Sequence, residues 1–365
     1  MPPGFWSFLR EWQFLAAFLL LIDSMKTSNG YWVHSSCCMA PTEYSPIAPP
    51  FGDIKMPPKK TMRNIPLTLS AFVVLVLATS CSNDAPKEEH ETVLSGTATI
   101  LVDSAIYDMM RASKSLYDAL TPKAHVTFKP VDARTAMSEL FAANARGIII
   151  ARDYVTDEQT ALKSRGAEFP RTQIATDALV LFTQKSFPTD TLNDVQVKDF
   201  LKGGKVNLAP LHLATTPVFV VPGVNSSEYA NIVNVILRGQ QPLARMTLTT
   251  SHASTREAVL AQPGRIGVGL LSQLVRDTAF KMLRIGFTDT AGARVYPQHV
   301  HQGYVVQGMY PYPVPIYIML KDAVSQYSIP TGVMQFLARD GKAQRTFLDA
   351  GIVPAHAKIE LNITE

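Results

Sequence analysis

Residues 96–116 read GTATILVDSAIYDMMRASKSL. Thr97 to Val102 is a β-rich run, Asp103-Ser104 is a polar break, and from Ala105 the apolar residues Ile106, Met109, Met110 and Leu116 recur at helical spacing. The spacing predicts a strand running straight into a helix. A hydroxyl at such a turn can cap the first free N–H groups, and those donors, with the positive end of the helix dipole, make an anion site. The same grammar recurs down the chain, so function turns on whether the recurrences converge on one ligand.

Working outward, His125 to Val131 is a second β-rich run ending at Asp132-Ala133-Arg134-Thr135, and Thr135 to Ala145 reads as a helix with Met137, Leu140 and Phe141 on one face. Gly147 to Ala151, GIIIA, is the continuously apolar run of a buried parallel strand. Strands alternating with helices argue an α/β sheet. The GIIIA strand delivers Arg152-Asp153 at its C-terminal end, where ligands collect in open α/β sheets. A helix follows from Thr156-Asp157 to Gly166. Phe169 to Gln184 reads as two strand pieces, with Leu179 to Phe182 where the chain crosses to a second lobe.

Leu192 to Leu201 reads as a short helix closed by Gly203-Gly204, and Pro217 to Val221 as a strand. Asn225, Ser226 and Ser227 then place capping side chains before a periodic helix carrying Tyr229, Ile232, Val233, Ile236 and Leu237. Ser254 opens another helix, and Pro263 begins a turn and buried strand. Residues 290–315 are loop-rich, Ile316 to Leu320 is a strand, and Gly332 to Asp340 and Ala343 to Ala350 are closing helices.

With 47% hydrophobic and 18% charged residues, the 365-residue chain has the material for a packed core and room for two domains. From Cys81 onward 28 Lys/Arg face 26 Asp/Glu, which leaves no basic field for nucleic acid. The cysteines are Cys37, Cys38 and Cys81, so the body needs no disulfide framework. His299 and His301 form the one close histidine pair, and their Pro/Gly-rich loop reads as surface; no metal and no cofactor are expected. No nucleophile elbow, paired metal ligands or phosphate-cradling glycine loop is present, so no enzyme is expected.

Lys59, Lys60 and Arg63 precede the uncharged run IPLTLSAFVVLVLATS, which stops at Cys81. That is the grammar of a secretory signal, residues 56–80. Leu77 to Cys81 resembles the lipobox of bacterial lipoproteins, in which the cysteine is acylated; the polar stretch to residue 95 is then a flexible tether. The competing reading is a transmembrane anchor, for which the run is short. Residues 1–55 carry a second hydrophobic segment, read either as an upstream extension of the reading frame, with translation starting at Met56 or Met62, or as an extra membrane helix from Phe5 to Ile22.

From Gly96 to Ala357 the order of motifs resembles the phosphate ABC-transporter substrate-binding proteins. The pieces are ILVDSAIY, ARGIIIARDYVTDEQ, ATDALVLFTQ, QPGRIGVGLL, YPYPVPIYIML and VMQFLARDGKAQRTFLDAGIVP. The resemblance implies a type II periplasmic-binding-protein fold: α/β, two lobes, each a mixed sheet flanked by helices, with a ligand cleft between them. Lobe 1 would be residues 96–180 with 290–365, and lobe 2 residues 181–289. It implies a monomeric lipoprotein of the bacterial cell envelope, periplasmic or at the cell surface, that captures inorganic phosphate or a similar oxyanion and delivers it to an ABC permease.

The ligand residues it implies are Ser104, Ala105, Arg134, Thr135, Arg152, Asn225, Ser226 and Ser227, with lipid on Cys81. Three family loops depart from pattern here. Asp132-Ala133-Arg134-Thr135 stands where the family has Ser-Gly, Ala151-Arg152 where it has Ser-Arg, and Val224 to Ser227 where it has Arg followed by Ser-Gly-Thr. Each missing donor leaves a phosphate acceptor unpaired at roughly 1 to 3 kcal/mol. Asp103 and Asp132 read as helix caps or ligand contacts, and Arg152 as ligand contact or internal salt bridge. The departures favour a second expectation, a surface scaffold or sensor that keeps the fold without binding phosphate.

Overall fold

Strand β1 (Gly96–Asp103) alternates until Ile100 and is buried from there to its end, because its C-terminal half runs into the middle of a sheet. Helix α1 (Tyr107–Leu120) turns Met110, Ser113 and Tyr117 inward. β2 (Ala124–Val131) pairs parallel with β1 along its whole length, Asp103 opposite Val131. After α2 (Ala133–Phe141), β3 (Gly147–Ile150) joins β1 on its other side, also parallel, with all four residues buried. Helix α3 (Thr156–Arg165) stops at Gly166, whose φ of 61° suits a residue without Cβ. The computed structural model describes residues 91–166, 168–321 and 326–356.

The chain continues through β4 (Arg171–Gln184), β5 (Thr191–Asn193), α4 (Asp194–Leu201), β6 (Val218–Pro222), α5 (Ser227–Asn231), β7 (Thr247–Thr249) and α6 (His252–Ala261). It goes on with β8 (Arg265–Leu270), α7 (Leu271–Leu274), β9 (Phe280–Met282), β10 (Arg284–Thr288), β11 (Arg294–Val295) and α8 (Gln302–Val306). It closes with β12 (Pro313–Leu320), α9 (Ile329–Arg339), α10 (Gly341–Asp349) and β13 (Val353–Pro354). The strand order is β2-β1-β3-β12-β4-β8-β6-β7, and β5, β10 and β11 form a small sheet of their own.

The expected two strand pieces between Phe169 and Gln184 are one strand, β4, that serves two half-sheets. Arg171 to Ala178 pair with β12, and Leu179 to Phe182 pair with β8. No break is needed, because β4 is buried almost continuously from Ile174 and only its partners change. The handover is pinned by polar bonds. The Leu179 N–H donates to Tyr312 O at 2.9 Å, and the Tyr310 hydroxyl donates to Leu179 O at 2.9 Å. Beside them, buried Asp177 accepts from Ser272 Oγ at 2.6 Å and from the Ala178 N–H at 2.7 Å. Loss of water pushes its carboxyl up to about 6 against those bonds. Gly267 is required by packing: a Cβ there would stand 2.3 Å from the Phe182 ring.

Several helix starts move by a few residues, and at two of them a capping side chain sets the start. Leu192 lies in a strand, because Asn193 caps α4: its Oδ1 accepts from the Gln196 N–H, and Gln196 Oε1 accepts from the Asn193 N–H, both at 2.8 Å. Ser251 caps α6, so the helix opens at His252 and Ser254 is the return partner. Helix α9 begins at Ile329, ahead of Gly332, and α2 at Ala133, two residues ahead of Thr135. Helix α9 lies on β4 and β1, and α10 on α1.

Candidate functional site

The C-terminal ends of β1 and β3 meet the loop between β6 and α5 along a seam between the half-sheets. At its centre is Asp103, the last residue of β1, with no exposed surface. Its Oδ1 accepts from the Ala105 N–H at 3.1 Å; its Oδ2 accepts from the Ala151 N–H at 3.2 Å and from the Ser227 hydroxyl. The expected capping hydroxyl, Ser104, is exposed and does not cap α1; its Oγ reaches Asp132 Oδ1 at 3.5 Å. A carboxylate accepting from the N–H two residues on outcompetes it. Burial raises the Asp103 carboxyl above the usual range, opposed by Ser227, Ala105, Ala151 and the nearby charge of Arg152.

Of the two readings of Arg152, the structure favours the internal salt bridge. Its side chain is 1% exposed, and both terminal nitrogens bind Glu158 at 2.7 Å. It also donates to Asp153 O and Ala133 O, while Glu158 accepts from the Val155 N–H at 3.1 Å. Arg134 sits further out in a two-bonded pair with Asp157, and its backbone N–H donates across the seam to Asn225 O at 3.1 Å. Ser226 is the N-cap of α5, accepting from the Tyr229 N–H at 3.1 Å.

Arg134, Arg152, Asn225 and Ser226 line one cleft of about 530 Å³, with Thr156, Asp157, Thr160, Tyr229 and Gln241. Ser227 lies inward of it against Asp103, and Ala105 gives its carbonyl to Gln273 Nε2 at 2.8 Å. Thr135 is exposed on α2 and outside that lining. Cys81 and every other residue before 91 lie outside the described residues.

Three residues that sequence reasoning did not single out hold the seam. Asn231 donates to Ala151 O at 2.8 Å, and Asn234 to Tyr154 O at 3.3 Å. Gln273 bridges Ala105 O and Glu228 Oε1. Their side chains meet backbone far away in sequence, which leaves no local signal. Glu228, buried beside the Asp103 charge, has its carboxyl pushed up to about 7 by loss of water first and by that charge second. With three donors on Asp103, we place the negative charge there and the proton on Glu228. Among the described residues no group of His, Cys, Asp and Glu could hold a metal ion, and no helix is long and apolar enough to cross a membrane.

Residues 85–340 match the model of the PBP superfamily domain, and the chain belongs to that superfamily. In structure it is similar to a protein of Clostridium perfringens solved with bound phosphate and assigned as a phosphate ABC transporter substrate-binding protein. That likeness has 15% identity and a TM-score of 0.59, over 71% of this chain and 99% of the other. It is also similar to an ABC-type phosphate transport receptor of Vibrio cholerae, at 15% identity and a TM-score of 0.54, over 71% of this chain and all of the other. Among curated proteins there is no match. The two likenesses carry the fold: a mixed α/β chain of the two-lobed type II periplasmic-binding-protein kind, as the motif order implied.

Proposed function

We propose that this member of the PBP superfamily is an extracytoplasmic solute-binding lipoprotein, tethered through Cys81, that captures a phosphate-like oxyanion between two lobes and delivers it to an ABC permease. In this reading residues 96–180 and 290–365 make one lobe and residues 181–289 the other, and the protein works as a monomer without catalysis. The observation that carries it is the convergence at the seam: the Ala105 N–H, the Ala151 N–H and the Ser227 hydroxyl, from three separate segments, aim at a single carboxylate. Donors arranged to hold the two oxygens of one carboxylate suit those of another anion, and Arg134 adds a guanidinium at the cleft wall.

The test is a thermal-shift and calorimetry screen against phosphate, sulfate, molybdate and small carboxylates. A ligand present at one hundred times its dissociation constant adds about 2.7 kcal/mol of stability. A screen in which no oxyanion shifts the melt or releases heat would sink this reading. One observation supports the second reading, a scaffold or sensor without a phosphate ligand: Arg152 is matched by Glu158, Arg134 by Asp157, and the seam donors by Asp103. In that case the screen stays silent while the protein still associates with its protein partner.

A further inference from the structure

Asp103 is a fully buried carboxylate met by donors from three segments of the chain. A buried carboxylate is expensive unless its oxygens are met by donors, and here they come from the α1 turn, the end of β3 and the far side of the seam. Two of those segments belong to the half-sheet that carries Asp103, whereas Ser227 opens α5 beyond β6, in the other half. The Asp103–Ser227 bond therefore ties the halves together, and Asn231 to Ala151 O and Gln273 to Ala105 O tie them at the same level. These are the contacts that closure around a bound solute would otherwise complete. They are made with the protein's own carboxylate in the middle.

We propose that Asp103 is a tethered stand-in for the ligand: its carboxylate fills the inner anion position, holds the halves closed without solute, and must be displaced before an oxyanion can occupy that position. Asp103 is then the residue that sets which anions enter. Displacement costs the Ser227 and two N–H contacts, so only an anion that recovers them and gains Arg134 competes. A weakly hydrated monoanion that cannot reach Arg134 does not.

The charged groups around Asp103 fit this role. Arg152 is close enough to favour its ionised form yet is already paired with Glu158, and buried Glu228, near enough to feel its charge, supplies no cation. The anion position is thus balanced for one carboxylate and no more. The inference goes beyond the solute-binding reading and holds even if phosphate is not the solute.

The experiment compares the full chain with Asp103→Ala and Ser227→Ala, following amide hydrogen exchange at Ala105, Ala151 and Asn231 and thermal shifts with formate, acetate and phosphate. In the wild-type chain the seam amides are protected without ligand, and formate and acetate change nothing. In Asp103→Ala they exchange at least about tenfold faster, and formate or acetate, filling the vacated carboxylate position, restores protection and raises the melting temperature. Ser227→Ala, which keeps the carboxylate but cuts the bond across the seam, also speeds exchange; it gives the answer if Asp103→Ala does not fold. The proposal is overturned if seam amides in the folded variants stay as protected as in the wild type, or if Asp103→Ala opens but responds to no small carboxylate. Phosphate binding by a wild-type chain whose variants behave in that way would leave the solute-binding reading standing and the stand-in disproved. Rescue by formate with no phosphate response in any chain would do the reverse.

Discussion

Two arginine–carboxylate pairs of the same chemistry stand at the cleft, one lining its wall and one buried behind it. Arg152–Glu158 has side chains 1% and 7% exposed, and Arg134–Asp157 has side chains 46% and 58% exposed. Each is held by two hydrogen bonds. The inner pair has left water, at a penalty of several kcal/mol per ion, and stands only because its spare donors and acceptors are met by Asp153 O, Ala133 O and the Val155 N–H. It is a strut joining the end of β3 to the starts of α2 and α3. The outer pair remains in water and can change partners at small cost. Residue type alone does not say which arginine meets a ligand; depth does.

The largest effect expected from breaking this contrast is on the inner pair. Arg152→Ala leaves Glu158 buried and unpaired, and should cost about 3 to 5 kcal/mol in a urea unfolding series. If Arg152→Ala proved no more costly than Arg134→Ala, the inner pair would not be a strut and the distinction by depth would fail.

Next in size is a pH effect confined to the inner layer. Glu228 has an ordinary value of 4.5 and is pushed up to about 7 when folded, so the native state holds its proton more tightly than the unfolded chain. The group costs nothing below pH 4.5, and stability falls as pH rises from there to about 7, by about 3 kcal/mol at most, then levels off. Asp177, raised from 3.8 to about 6, acts with the same sign in a lower window. Glu228→Gln should therefore gain on the wild type as pH climbs from 5 to 7.5, read from paired denaturant midpoints. A gap that stays constant across that range would mean that Glu228 ionises normally and that Asp103 is not its charged neighbour.

Much of the outer arrangement was readable in the sequence, and the inner layer was not. GIIIA announced a central strand because four consecutive apolar residues have no wet face, and VNSSEY announced a cap because Ser226 has only local N–H groups to satisfy. The sequence divides β4 in two because periodicity reports burial and not a change of partner. Ser104 looked like the capping group by residue type, yet the neighbouring carboxylate won the turn. By sequence Asp103 is a cap or a ligand contact. It caps no helix, since α1 has Ile106 at its N-cap without a side-chain bond; it accepts locally from the Ala105 N–H ahead of the helix, and its bonds to Ala151 and Ser227 span 48 and 124 residues, a distance at which no motif signals.

The smallest stability change, and the sharpest test of the outer pair, belongs to Arg134. Arg134→Ala removes a half-exposed ion pair, so the unliganded protein should lose no more than about 1 kcal/mol. If Arg134 is the guanidinium that trades Asp157 for a solute, the same substitution should weaken oxyanion binding by about 1.5 to 3 kcal/mol, roughly ten- to a hundredfold. Asp157→Asn should strengthen it, because the guanidinium then has no competing carboxylate to leave. Both shifts should shrink as salt rises from 10 mM to 1 M, since a charge in contact with water is screened over a few ångströms at the upper end. Calorimetric titration of the three proteins at two salt concentrations reads all of this together. Equal affinities throughout would place the ligand away from Arg134, and, with Arg152 already committed to Glu158, would leave the cleft without an arginine to offer a phosphate.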